Sequence, residues 1–258
     1  MTGLAAVALP GLPEVGAGDD LGALIAAAGE PLGDGDVVCV AHKVVSKAEG
    51  RVRRLADVTP GERARALARR LDRDPRHVQA VLDEAVEVIR EDRVLICRTR
   101  HGFVCANAGV DASNAPAPGA VVLLPEDPDA SARALRARLR ELTGAGPAVV
   151  VSDSFGRAWR HGQVEVAIGC AGLRALDDWR GRADRAGREL SATWIAVADE
   201  AAAAADLARA GKDSGEPVAV VRGLGRHVTA DDGPGAAALA RPAGEDLFGA
   251  LHPAPART

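Results

Sequence analysis

The chain has 258 residues, 32 Lys and Arg against 36 Asp and Glu, and a formal net charge of −4. That length suits one large or two modest domains with a real core, and 47% hydrophobic residues exclude a disordered chain. The mild acidity argues against a nucleic-acid protein that binds through whole-molecule charge, and no apolar run approaches the ~20 residues of a membrane helix.

Short β-branched runs alternate with amphipathic stretches. Asp36–Ala41 (DVVCVA) is the first strand-like run. Thr59-Pro60-Gly61-Glu62 reads as a capping box that opens a helix to about Leu71. Asp74-Pro75 opens a second helix, with Val78, Val81, Leu82, Ala85, Val86 and Ile89 on one face. Strands are expected at Val94–Thr99 and Ala120–Leu124, then a helix from about Ala130 to Leu142 that ends before Gly144. Ala148–Ser152, Val164–Ile168 and Thr193–Ala198 follow as strands, then an Ala-rich helix over Glu200–Ala210 and a last strand at Val218–Val221. Residues 1–230 are expected to form the folded domain, as one unit or two subdomains. The Gly-, Ala- and Pro-rich stretch 231–258 reads as a loosely packed tail.

Cys39, Cys97, Cys105 and Cys170 form no C-x-x-C pair, and each sits among apolar residues. They read as small buried hydrophobes rather than zinc ligands. No basic segment precedes the short apolar N-terminal stretch, so no signal peptide is expected, and the expected setting is cytoplasmic. Two Arg-rich faces, Arg63, Arg65, Arg69, Arg70 and Arg133, Arg136, Arg138, Arg140, carry no interleaved aromatics. They read as solvated helix faces, not as a nucleic-acid surface.

Walker, dinucleotide-binding, H-E-x-x-H and G-x-S-x-G motifs are all absent. Four segments hold the chemistry. Residues 41–50 read as a loop after a buried strand and carry Lys43 and Lys47, two of the three lysines in the chain. Residues 107–114 (NAGVDASN) place Asp111 among amides and small residues, a composition that suits a hard cation or an Asx turn. Asp153 closes an apolar strand and is followed by Ser154, Arg157, Arg160 and His161, a pattern for a cation and anionic oxygens or for a simple turn cap. A haloacid-dehalogenase motif would need Asp at position 155, where Phe155 stands. Residues 210–217 form a Gly-bearing loop able to cradle an anion or merely to connect. Carboxylates for a metal and cations for polyanions suit phosphoryl transfer.

The stretches G-L-P at Gly11, V-V-S-K-A-E-G-R at Val44, N-A-G-V-D-A-S-N at Asn107, V-S-D-S-F-G-R at Val151, D-W-R-G-R-A-D at Asp178 and G-E-P-V-A-V-V-R-G-L at Gly215 together resemble the F420 γ-glutamyl ligase (coenzyme F420-0:L-glutamate ligase) family. The order and spacing hold over about residues 8–226. The resemblance implies an α+β fold of mixed and antiparallel sheets with flanking helices, in an intertwined homodimer. It implies a ligase that uses GTP and Mg²⁺ or Mn²⁺, and allows K⁺, to add L-glutamate to the phospholactyl carboxylate of F420-0. An acyl phosphate would be the intermediate, and GDP and phosphate the products. Some members carry a fused nitroreductase-like domain; the chain stops before one, and no flavin site, nucleic acid or membrane is expected. Carried over by position, nucleotide contacts fall on Leu12, Pro13, Glu14, Val15, His42, Lys43, Lys47, Asn114 and the loop Arg209, Ala210, Gly211, Lys212, Asp213, Ser214, Gly215, Glu216. The metal falls on Asp111, Asp153 and Ser154, where Ser154 stands for a Thr often found there. Asp111, Asp153, Lys47 and Arg157 would carry the catalysis. Family members often place a second metal's ligand in the 209–216 loop, where this chain has Gly211 and Lys212, with Asp213 as a substitute. A paralogous amide ligase for another carboxylate, or a non-catalytic nucleotide-binding relative, fits the same motifs.

Overall fold

The structure is a computed structural model that describes residues 3–247. In chain order the first elements are β1 (Ala5–Ala8), α1 (Leu21–Ala27), β2 (Val37–Ala41), α2 (His42–Ala48) and β3 (Val52–Arg54). Next come α3 (Glu62–Leu71), α4 (Pro75–Glu84), β4 (Ala85–Glu91), β5 (Leu95–Thr99), β6 (Val104–Ala106) and β7 (Ala120–Val122). The chain continues with α5 (Pro128–Thr143), β8 (Ala148–Arg157), β9 (Arg160–Ala171), β10 (Asp177–Asp178), β11 (Trp194–Ile195), α6 (Val197–Ala208) and β12 (Val218–Arg222).

Five strands form the main sheet in the order β1-β12-β2-β8-β9, and only the β2–β8 pair is parallel. Its central strands are apolar on both faces because both faces are covered. Val38, Val40, Val149, Val151, Val218 and Val220 point into one core with α1, α2 and α5. Their neighbours Val37, Cys39, Val150, Ala219 and Val221 point into a second core with α6. The period-two side-chain alternation of a strand thus divides one apolar run between two layers. A third core, built by α3, α4 and the β4-β5-β6 sheet, lies in the excursion between β2 and β8. The chain is therefore mixed α+β, with several sheets and six α-helices among the described residues.

Several elements differ from expectation. α3 is capped by Gly61, not Thr59, and the Gly61 N–H donates to Gln79 Oε1 at 2.8 Å. α4, expected to run on through Ile89, stops at Glu84. Ala85, Val86 and Ile89 belong instead to β4, where pairing with β5 outweighs the helical spacing. Only Trp194–Ile195 of the 193–198 run is strand, because α6 begins at Val197. Residues 42–48 are the helix α2, not a loop. Arg136 is buried at 3% exposure rather than solvated; it reaches the carbonyls of Pro147, Thr229 and Asp231 and the Asp232 carboxylate. That network and the Ala236 N–H donating to Asp129 at 2.7 Å tie down the start of the expected tail. The tail from 248 onward lies outside the described residues.

All four thiols are buried and unbridged. Burial pushes Cys97 up to about 11 and Cys39, Cys105 and Cys170 up to about 12, so they serve as packing groups rather than nucleophiles. Among the described residues no helix is long and apolar enough to cross a membrane.

Candidate active site

Strand direction decides where the site lies. β1 is parallel to β2, because each is antiparallel to β12, and β2 is parallel to β8. The segment after β1, the helix after β2, the outer half of β8, the start of β9 and the loop before β12 therefore meet at one end of the sheet. Crevices beyond the carboxyl ends of parallel strands are where such sheets bind ligands. A cleft of about 560 Å³ opens there.

The resemblance-derived contacts are gathered in it. Residues 12–15, His42, Lys43, Lys47 and Asn114 line it, as do Arg209 and residues 211–216. Lys43 and Lys47 stand four residues apart on α2, so they share one helix face. Lys47 is buried, with its Nζ 2.5 Å from Glu14 Oε1, a carboxylate 69% exposed. An ammonium held under an exposed carboxylate can exchange that partner for a phosphate oxygen at little cost. Asn114 donates from Nδ2 to Lys212 O at 3.0 Å and ties the 107–114 segment to the loop before β12. In that loop Ser214 Oγ donates to Arg209 O at 2.6 Å, which closes the turn after α6.

Asp153 and Ser154 line the cleft from β8. Asp153 Oδ1 accepts from the Ser154 N–H at 2.8 Å and lies 3.3 Å from His42 Nε2. His42 Nδ1 lies 3.4 Å from Ser46 Oγ, so the ring is fixed between α2 and β8. A carboxylate and a hydroxyl side by side suit Mg²⁺ or Mn²⁺, which commonly bind one or two protein oxygens and complete their shell with phosphates and water. Asp111 does not line the cleft. It sits behind Lys43, and its Oδ2 accepts from Lys43 Nζ at 2.7 Å and from Ser113 Oγ at 2.7 Å. Burial pushes the Asp111 carboxyl up, but the Lys43 ammonium and the Ser113 donors outweigh this and hold it at about 2.

Besides Asp111, two expected residues fall outside the cleft. Arg157 lies near the exposed turn between β8 and β9 and donates to His161 O at 2.8 Å, so it does not face the Asp153 wall. Ala210 is the residue that turns the chain away from α6, at φ 60°, and it does not line the cleft. Four residues outside the chemistry-bearing segments named from the sequence also line it: Ala115, Pro116, Glu165 and Asp206. Glu165 is set by strand register, since β9 places it opposite Ser154. Ser154 Oγ donates to Glu165 Oε1 at 2.6 Å.

The assembly is an enzyme-type cleft that sets Lys43, Lys47 and Arg209 beside the carboxylates of Glu14, Asp153 and Glu165. The comparisons with known proteins give it a family. Residues 11–223 match the family model for F420-0:gamma-glutamyl ligase. A coenzyme F420:L-glutamate ligase of Methanopyrus kandleri is 48% identical over 90% of this chain and 92% of its own length. One from Methanothermobacter thermautotrophicus is 44% identical over 95% of this chain and 99% of its own. One from Halobacterium salinarum is 51% identical over 84% of this chain and 86% of its own. The chain belongs to the F420-0:gamma-glutamyl ligase family.

Proposed function

We propose that this enzyme is a coenzyme F420-0:L-glutamate ligase. On this reading it uses GTP and a divalent cation to join L-glutamate, once or repeatedly through γ-linkages, to the phospholactyl carboxylate of F420-0. The observation that carries the reading is one cleft that holds Lys43, Lys47, Asn114, Asp153, Ser154 and the 211–216 loop, in a chain so similar to ligases of that name.

Joining a carboxylate to an amine in water is uphill, so the carboxylate must first be activated. Transfer of the γ-phosphoryl group to the substrate carboxylate gives an acyl phosphate and GDP. The glutamate amine then attacks the acyl carbon, and phosphate leaves. Lys47 and Lys43 hold phosphate oxygens, with Glu14 and Asp111 as the carboxylates those ammonium groups give up. Asp153 and Ser154 would hold the cation, and Asp111, released if Lys43 turns to phosphate, would add a carboxylate nearby. When bound, the cation offsets negative charge gathered on the transferring phosphoryl group. A homodimer and a cytoplasmic setting complete the reading, and four buried thiols accord with a reducing compartment. The test is to incubate the purified chain with F420-0, L-glutamate, GTP and Mn²⁺ or Mg²⁺. The expected product is heavier by one or more glutamyl residues and forms only when GTP is present. Unchanged F420-0, or equal product without GTP, contradicts the reading.

A further inference from the structure

In the wall of the cleft beside Asp153, two opposite charges face each other without meeting. Glu165 and Arg209 have side chains only 7% and 6% exposed, and Arg209 Nη1 lies 3.9 Å from Glu165 Oε2. That separation is too long for a hydrogen bond. One atom of each group is held: Glu165 Oε1 accepts from Ser154 Oγ, and Arg209 Nη2 donates to Ser152 Oγ at 3.2 Å. Glu165 Oε2 and Arg209 Nε are left buried with no hydrogen-bond partner. Buried polar atoms without partners are costly, and a fold that keeps them gives them a role or completes them with water, an ion or a ligand.

We propose that Glu165 and Arg209 form the subsite for the incoming amino acid. Glu165 Oε2 accepts from its ammonium, and the Arg209 guanidinium donates to a carboxylate. A zwitterion is the small molecule that carries a cation and an anion a few ångströms apart, and it completes both open positions at once. Both atoms are covered in the free protein, so the subsite opens only as the 3.9 Å pair parts to admit the ligand. Ser154 joins the subsite to the phosphate side of the cleft, because its hydroxyl holds Glu165 and its neighbour is Asp153. The amine would thus be held next to the place where the activated carboxylate forms. Sequence spacing does not show this pair, since it is created by the β8–β9 register and the end of α6.

The inference rests on the reading of the chain as a glutamate ligase, and its test separates the two. Equilibrium binding of L-glutamate, and of glutarate, which lacks the ammonium, is measured on the full chain loaded with GDP and Mn²⁺. Turnover is followed in parallel. In Glu165→Gln the affinity and KM for L-glutamate should weaken at least tenfold, while glutarate binding, the KM for GTP and the Mn²⁺ requirement stay within twofold. Should that variant not fold, Glu165→Asp carries the same comparison, because it draws the oxygen back by one methylene. Unchanged L-glutamate affinity in an active variant overturns the subsite and leaves the ligase reading standing. A raised Mn²⁺ requirement with unchanged L-glutamate affinity overturns it too, and makes Glu165 a cation ligand. A wild-type chain that binds L-glutamate in a Glu165-dependent way but joins it to nothing keeps the subsite and sinks the ligase reading. A wild-type chain that neither binds nor joins L-glutamate overturns both.

Discussion

Two buried arginines show how differently one fold can treat the same side chain. Arg136 on α5 is satisfied on every side: Nε reaches Pro147 O, Nη1 reaches Asp231 O and Asp232 Oδ1, and Nη2 reaches Thr229 O at 2.6 Å. Arg209 at the end of α6 has one hydrogen bond, a distant carboxylate and an unpaired Nε. Arg136 fastens the segment after β12 to the back of the sheet. Arg209 faces a cleft and is left incomplete. A closed network stabilises the fold, and an open one leaves buried polar groups unsatisfied at a cost.

Truncation sharpens the contrast most strongly. Arg136→Ala should lower stability by about 3–5 kcal/mol, because it leaves three carbonyls without donors around an empty buried site, while the half-exposed Asp232 turns to water. Arg209→Ala made together with Glu165→Gln, which leaves no buried charge behind, should cost about 1–2 kcal/mol, the scale of one hydrogen bond and a loose ion pair. Urea unfolding of both variants checks this, and equal losses would erase the distinction.

The next effect is on activity. Asp153→Asn keeps the shape of the β8 wall and removes a charge. Turnover should fall by two or more orders of magnitude, about 3 kcal/mol of transition-state stabilisation, with partial recovery in excess Mn²⁺ and little change in Tm. If Asp153 were only a turn cap, stability would drop by roughly 1 kcal/mol, with activity per folded molecule intact.

The smallest effect is a pH dependence. Asp111 is held at about 2 when folded, below its ordinary value of 3.8. Its contribution to stability is therefore present above about pH 4 and disappears as pH falls through 2. Because the side chain is 39% exposed, solvent screening limits that contribution to no more than about 1 kcal/mol. Thermal melts of wild type and Asp111→Asn should differ at pH 6 and converge towards pH 2; a gap that widens on acidification contradicts the assignment.

The same contrast explains what the sequence makes legible. Val37–Val40 and Ala148–Val151 are read as buried strands because continuous β-branched runs need cover on both faces. The helix expected at Ala130–Leu142 appears as Pro128–Thr143, since Asp127 caps its start and Gly144, at φ 74°, ends it. α2 escaped notice because it is two turns long and follows a strand without a side-chain cap, although the four-residue step from Lys43 to Lys47 was its signature. The apolar spacing from Val78 to Ile89 is helical throughout, but pairing of β4 with β5 claims Ala85, Val86 and Ile89 for a strand, and Val86 and Ile89 are β-branched. In the site, residues in contiguous motifs were found. Glu165 was not, because only the pairing of two strands brings it to Ser154. Arg157, close in sequence to Asp153, is carried outward by the hairpin.

On the proposed reading, the cleft at the end of the five-stranded sheet should bind GTP through the α2 lysines. Calorimetric titration of GDP with Mn²⁺ into wild type and Lys47→Met tests it most directly, since methionine keeps the buried stem and removes the ammonium. One GDP should bind per wild-type chain, with affinity at least tenfold weaker in Lys47→Met and Tm nearly unchanged. Equal affinity in the two proteins would contradict the account.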